Sequence, residues 1–151
     1  MEYILEGPPA VDECLFCAAP SAPDPRERLV LRADRNAVVM LNRFPYNNGH
    51  LMVAPRQHAS RLSELERAAF AALMDVVREA ESVLERALSP DGLNVGLNLG
   101  RVAGAGIDRH LHWHLVPRWA GDTNFMPVIG EAKVMPQHLL ASYDQLRPYF
   151  A

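Results

Sequence analysis

The chain has 151 residues, 49% of them hydrophobic and 22% charged, with a net charge of −3; this length sets a single domain, residues 1–151, that buries roughly 70% of the unfolded chain's surface and needs no disulfide staples. The mildly negative charge argues against a nucleic-acid polymer as partner, because polymer binding draws on a basic face. No apolar run reaches the ~18 residues of a membrane span, and the start, Met-Glu-Tyr-Ile-Leu-Glu, lacks the basic and apolar stretches of a signal peptide, so a cytoplasmic protein with no membrane partner is expected.

Residues 1–25 are proline-punctuated and predict loop. They carry both cysteines, Cys14 and Cys17, in Cys-Leu-Phe-Cys, a spacing that suits either a redox pair or half of a tetrahedral metal site. Residues 27–33 and 37–41 predict two strands of a hairpin, with Arg35-Asn36 as the turn. Residues 42–49 (Asn-Arg-Phe-Pro-Tyr-Asn-Asn-Gly) are loop by composition, and 50–54 predict a third strand stopped by Pro55.

Ser63-Glu64-Leu65-Glu66 reads as a capping box. The apolar residues after it, from Leu65 through Leu73, Val76, Val77, Ala80, Val83 and Leu84 to Leu88, recur at helical spacing. Pro90 and Gly92 end that helix. Its one-sided pattern predicts a cover packed on a sheet. Residues 93–99 alternate as a strand, 100–106 form a glycine-containing loop, and 110–116 are the last strand. The tail from Trp119 is irregular to about Pro136, where a short helix to Leu146 begins. The fold class is α+β: an antiparallel sheet of about five strands with one long and one short helix.

His110-Leu111-His112-Trp113-His114 carries the chemistry. Alternate strand residues share a face, so Leu111, Trp113 and Leu115 point to the core and the three histidines to a cleft. Histidine acts as nucleophile, acid or base near neutrality, and it is also a common metal ligand.

This segment resembles the motif of the histidine-triad (HIT) family. The resemblance extends to Asn42 through Pro55, similar to the family's nucleotide-pocket loop and strand, and to Cys14–Cys17, similar to its N-terminal metal half-site. Gly92 to Gly100 and the tail from Asn124 to Val134 resemble the diadenosine tetraphosphate phosphorylase (ATP adenylyltransferase) branch. The resemblance implies nucleotidyl transfer on adenine dinucleoside polyphosphates, with AMP, ADP, ATP and phosphate as reaction partners. His112 is then the nucleophile, held in one tautomer by the carbonyl of His110. His114 donates to the phosphoryl group, and His50 supports the row from a neighbouring strand. Asn42 suits ribose hydroxyls, or else is a turn-former. Asn98 lies near the phosphates, or else is an outward polar residue. Phe44 and Tyr46 sandwich adenine or pack in the core. Arg101, Arg109 and Arg118 are phosphate candidates, with solvated arginine as the alternative. The family's hydroxyl residue before the triad is absent here, since the stretch is Gly104-Ala105-Gly106-Ile107.

The resemblance also implies a Zn2+ site of Cys14, Cys17, His58 and His110. Four protein ligands leave no open position, so this zinc is structural. A redox role fits less well, because the motif does not open a helix after a strand. The family further implies a homodimer with sheets joined edge to edge. Two other readings compete: a nucleotide-binding scaffold with a vestigial triad, and a hydrolase whose three histidines bind a catalytic metal. Within the enzymatic reading, phosphorolysis competes with hydrolysis of dinucleoside polyphosphates or phosphoramidates to AMP.

Overall fold

The computed structural model describes residues 14–123 and 137–151. Five apolar or alternating runs form strands: β1 Val30–Ala33, β2 Ala37–Leu41, β3 Leu51–Pro55, β4 Gly92–Leu97 and β5 Trp113–Arg118. They make one antiparallel sheet in the order β1-β2-β3-β5-β4. The α+β class and the five strands are therefore as expected. All five residues of β2 and of β3 are buried, because both faces of the central strands are covered.

Helix α2 (Arg67–Leu88) covers one face. Its Leu73, Val76, Val77, Ala80, Val83 and Leu84 pack with Leu31, Val39, Leu51, Val53, Leu111 and Leu115. The other face packs Val30, Val38, Met40, Met52 and Ala54 against Cys14, Phe16 and Ala19. So the proline-rich start is not all loop: α1 (Leu15–Ala18) and a 3-10 turn (Ala19–Ser21) form in it. The apolar Leu15, Phe16 and Ala19 give those turns a sheet face to bury against.

The structure moves several boundaries, each for a local reason. The first strand begins at Val30, because the Asp24 carboxylate accepts from the Arg26 and Glu27 amides and folds that stretch into turns. The capping box does not form. Ser63 lies in a 3-10 turn (Leu62–Glu64), and Glu66 stands at the N-cap of α2 without a side-chain bond. The Glu64 carboxylate instead accepts from the amide and hydroxyl of Ser60, 2.8 and 3.2 Å away, so the polar signal caps the preceding turn. At the other end Ser89 takes a left-handed conformation (φ 47°) before Pro90. The C-terminal helix α3 runs Leu139–Leu146, capped by His138, whose Nδ1 accepts from the Leu140 amide. Its expected start at Pro136 lies outside the described residues.

The change that matters most is at β5. The expected strand 110–116 is observed as Trp113–Arg118. The ladder with β3 reaches only Val53↔Trp113. Beyond it stands Pro55, which has no N–H to give, and its carbonyl is taken by His110 Nε2 at 2.9 Å. The backbone of residues 110–112 thus leaves the ladder, and the Leu111 amide bonds the Ala59 carbonyl instead. Leu111, Trp113 and Leu115 still face α2. Across the sheet, Met52, His114 and Gly96 stand in one rank on the opposite side.

Candidate functional site

His112 sits where the chain enters β5, 6% exposed. Its Nδ1 lies 2.9 Å from the carbonyl oxygen of His110. A carbonyl only accepts, so Nδ1 carries the proton and Nε2 keeps its lone pair. Burial lowers the affinity of this ring for a second proton, outweighing the carbonyl contact that would raise it. The ring is neutral at neutral pH, the form that attacks an electrophile.

A second chain of contacts fixes His114. The Tyr46 amide donates to His50 Nδ1 at 3.0 Å, and His50 Nε2 lies 2.8 Å from His114 Nδ1. Because His50 accepts at Nδ1, its proton is on Nε2 and is donated onward. His114 Nδ1 therefore accepts, and its proton sits on Nε2. Burial, with a smaller contribution from neighbouring His112, pushes His114 down to about 4. His50 is fully buried and stacks on the ring of Tyr46, centroids 5.1 Å apart. His112 and His114 meet edge to face at 4.8 Å. Gly49 is required next to His50: its φ is +74°, and a Cβ there would run into Leu88 Cδ1.

The other cluster lies on the far side of His110. Cys14, Cys17, His58 and His110 offer one donor atom each, all within 4.8 Å of one another. Cys14 Sγ and His110 Nδ1 are 3.3 Å apart, as are Cys17 Sγ and His58 Nδ1. His110 Nε2–H is engaged by the Pro55 carbonyl, which turns the Nδ1 lone pair toward the sulfurs, the arrangement that orients a metal-bound imidazole. Burial, followed by the neighbouring Cys14, pushes the Cys17 thiol up to about 11, so a cation is what would hold the Cys17 sulfur as a thiolate. Two thiols and two imidazoles fit a tetrahedral zinc; this set could hold a metal ion.

A cavity of about 1080 Å³ opens from His114 along β4 and β5. Asn98 lines it, together with Tyr46, Asn48, Gly96 and Arg118. The Oδ1 of Asn48 is the buried side-chain polar atom that lacks a partner among the described residues.

Other expected positions come out differently. Asn42 does not line this cavity, and its Oδ1 accepts from the Phe44 amide at 2.9 Å, the turn-forming alternative. Phe44 and Tyr46 are 64% and 62% exposed, which rules out core packing. Arg118 is held by both carboxylate oxygens of Asp122, 2.6 and 2.7 Å away, and by Asn94; Arg101 pairs with Asp108. A Cβ at Gly106 would meet nothing within 4 Å, so packing there does not demand glycine. The sequence reading missed Phe16, whose ring lies against both His110 and His112; its signal was a large apolar residue inside a segment otherwise read as loop.

A HIT domain family model matches residues 26–121, a span that includes all five histidines of the two clusters but neither cysteine. The AP-4-A phosphorylase of Mycobacterium tuberculosis (strain H37Rv) is 41% identical over 92% of this chain and 74% of its own length. The adenosine 5′-monophosphoramidase of Schizosaccharomyces pombe is 30% identical over 70% of this chain and 74% of its own. Among solved structures, a hypothetical histidine triad nucleotide-binding protein from Sulfolobus tokodaii aligns with a TM-score of 0.71 at 26% identity, covering 91% of each chain. A zinc-bound histidine triad family protein from Mycobacterium smegmatis aligns with a TM-score of 0.70 at 26% identity, covering 91% of this chain and 93% of that one.

Proposed function

This chain belongs to the HIT family, and from that premise we propose that it cleaves diadenosine tetraphosphate by phosphorolysis, giving ATP and ADP. The observation that carries the proposal is the contact between His112 Nδ1 and the His110 carbonyl, which leaves a neutral Nε2 next to a fixed donor on His114. The 41% identity to the mycobacterial phosphorylase supports the choice of substrate.

In this reading Nε2 of His112 attacks the α-phosphorus. A nitrogen–phosphorus bond forms, the bond to the bridging oxygen breaks, and ATP leaves. AMP stays on the histidine, so that one hard displacement becomes two easier ones. As Nε2 is consumed the imidazole gains positive charge, and the His110 carbonyl dipole at Nδ1–H offsets it. His114 Nε2–H donates to a phosphoryl oxygen as negative charge builds there. Inorganic phosphate then attacks the AMP group, the nitrogen–phosphorus bond breaks, and ADP is released. Asn98 contributes to nucleotide binding from the cavity wall, His50 fixes His114, and Asn42, whose Oδ1 is engaged by the Phe44 amide, meets the ribose through its side-chain NH2.

A zinc ion bound by Cys14, Cys17, His58 and His110 would be structural, tying the N-terminal segment to the sheet. Residues 1–151 form one domain in this account, acting in the cytoplasm as a homodimer through the edge strand β4, where Val95 is 45% exposed. No helix among the described residues is long and apolar enough to cross a membrane.

The test is product analysis with labelled inorganic phosphate. Label in the β-position of ADP is expected. ATP plus AMP, formed at one rate with or without phosphate, would make the protein a hydrolase.

A further inference from the structure

Phe16 stands between the two cysteines and is 1% exposed. Its ring centroid is 5.2 Å from that of His110 and 5.0 Å from that of His112, inclined only 31° to the latter. The residues on either side of it are anchored: Cys14 reaches His110, and Cys17 reaches both His58 and His110. The side chain is thus fixed from the four-donor cluster, and its ring lies tilted against the neighbouring imidazole.

A histidine ring turns in a broad, two-fold torsional well about its Cβ–Cγ bond. The hydrogen bond from Nδ1–H to the His110 carbonyl selects a tautomer, but one bond at the ring's edge resists tilting weakly. A packed aromatic ring beside it resists it directly. Both restraints on His112 trace to the same cluster: the carbonyl belongs to His110, one of its four members, and the packed ring belongs to Phe16, whose chain neighbours include two others.

We propose that Phe16 is a positioning residue for His112, holding the imidazole plane in which Nδ1–H meets the His110 carbonyl and Nε2 remains a lone pair. The proposal rests on the reading of His112 as nucleophile for its catalytic consequence, but the placement of the ring is measurable without any reaction.

The experiment compares wild type, Phe16→Leu and Phe16→Ala, each loaded with zinc. Leucine keeps most of the apolar volume but has no flat face; alanine removes both, and if it fails to fold, leucine carries the test. Three quantities are read: zinc per chain, the ring-nitrogen chemical shifts of His112 in substrate-free protein, and kcat with KM. Wild type should show one tautomer, protonated at Nδ1. Both variants should keep their zinc and show a mixture, with the Nε2–H form that free histidine favours appearing. kcat should fall about tenfold in the leucine variant and about a hundredfold in the alanine variant, the scale set by a small misplacement of a reacting group, with KM within about threefold. A His112 that keeps the pure Nδ1–H tautomer in both variants overturns the proposal, whatever the rate. If wild type turns over no dinucleotide, the nucleotidyl-transfer reading fails, while the nitrogen shifts still decide the role of Phe16.

Discussion

The two histidine clusters meet at His110 and use the same ring in opposite ways. In the cysteine-containing cluster, the Nδ1 atoms of His58 and His110 face sulfur, and the four donors could hold a metal ion. In the row formed by His50, His112 and His114, the Nδ1 atoms of His50 and His112 are occupied by backbone groups, the Tyr46 amide and the His110 carbonyl, and burial holds His112 and His114 neutral. The residue type does not separate the two clusters. What separates them is which ring nitrogen the backbone occupies, and whether the other one faces thiols.

The comparison breaks most sharply at His112. Replacing it with alanine should abolish turnover, since loss of an essential nucleophile costs on the order of 10⁶-fold, while zinc content and nucleotide binding stay near wild type. Metal analysis and equilibrium binding on the same sample check both halves. A variant retaining more than about a thousandth of the rate does not fit a covalent mechanism.

The converse change is made in the other cluster. Cys14→Ser with Cys17→Ser should abolish the one zinc per chain expected from four ligands. Because metal binding is folding free energy, each lost kcal/mol should lower Tm by about 2–4 °C in a chain of this size. Calorimetry with and without chelator checks this, and a Tm indifferent to chelator would count against the site.

Removing His50 probes the relay. His50→Ala takes away the Nε2–H that holds His114 Nδ1 as acceptor, freeing His114 to adopt either tautomer. kcat should drop about 100-fold, the lower end of the range for a general acid or its equivalent, with zinc unchanged.

Smaller still is the effect of pH on stability. An unfolded histidine titrates near 6.5, whereas folded His114 is pushed down to about 4, chiefly by burial. As pH falls from 6.5 toward 4 the unfolded chain takes up a proton that the folded row refuses, so stability falls through that window. Above 6.5 this group contributes no slope. Urea midpoints across pH, compared with His114→Gln, should show a shallower acid decline in the variant.

The sheet was legible because its cause is local. Alternation marks residues 93–99, observed as β4, and a period of two gives the Leu111, Trp113, Leu115 face. The helix α2 was equally plain from its spacing, yet its cap was not: Glu64 found Ser60 rather than serving Ser63, a choice between two neighbouring serines that spacing does not decide. His110 was read as part of a strand because its alternation continues. A proline 55 positions earlier, with no amide to offer and a carbonyl to give, took it out of the ladder. The contacts that build the site join residues as much as 96 positions apart, such as Cys14 and His110. No window on the sequence contains such a pair, so the four-ligand set came from resemblance rather than spacing. Arg118 illustrates the limit from the other side: a cation beside the triad invites a phosphate, but Asp122, four residues on, already holds it.

The central claim is that His112 carries the nucleotidyl group through its Nε2. The most direct measurement mixes the protein with diadenosine tetraphosphate in the absence of phosphate, quenches in denaturant and analyses peptides by mass spectrometry. An AMP adduct is expected on the peptide containing His112, localised to that residue, absent in His112→Ala and discharged to ADP when phosphate is added before the quench. Turnover without any adduct, or an adduct on another residue, would contradict it.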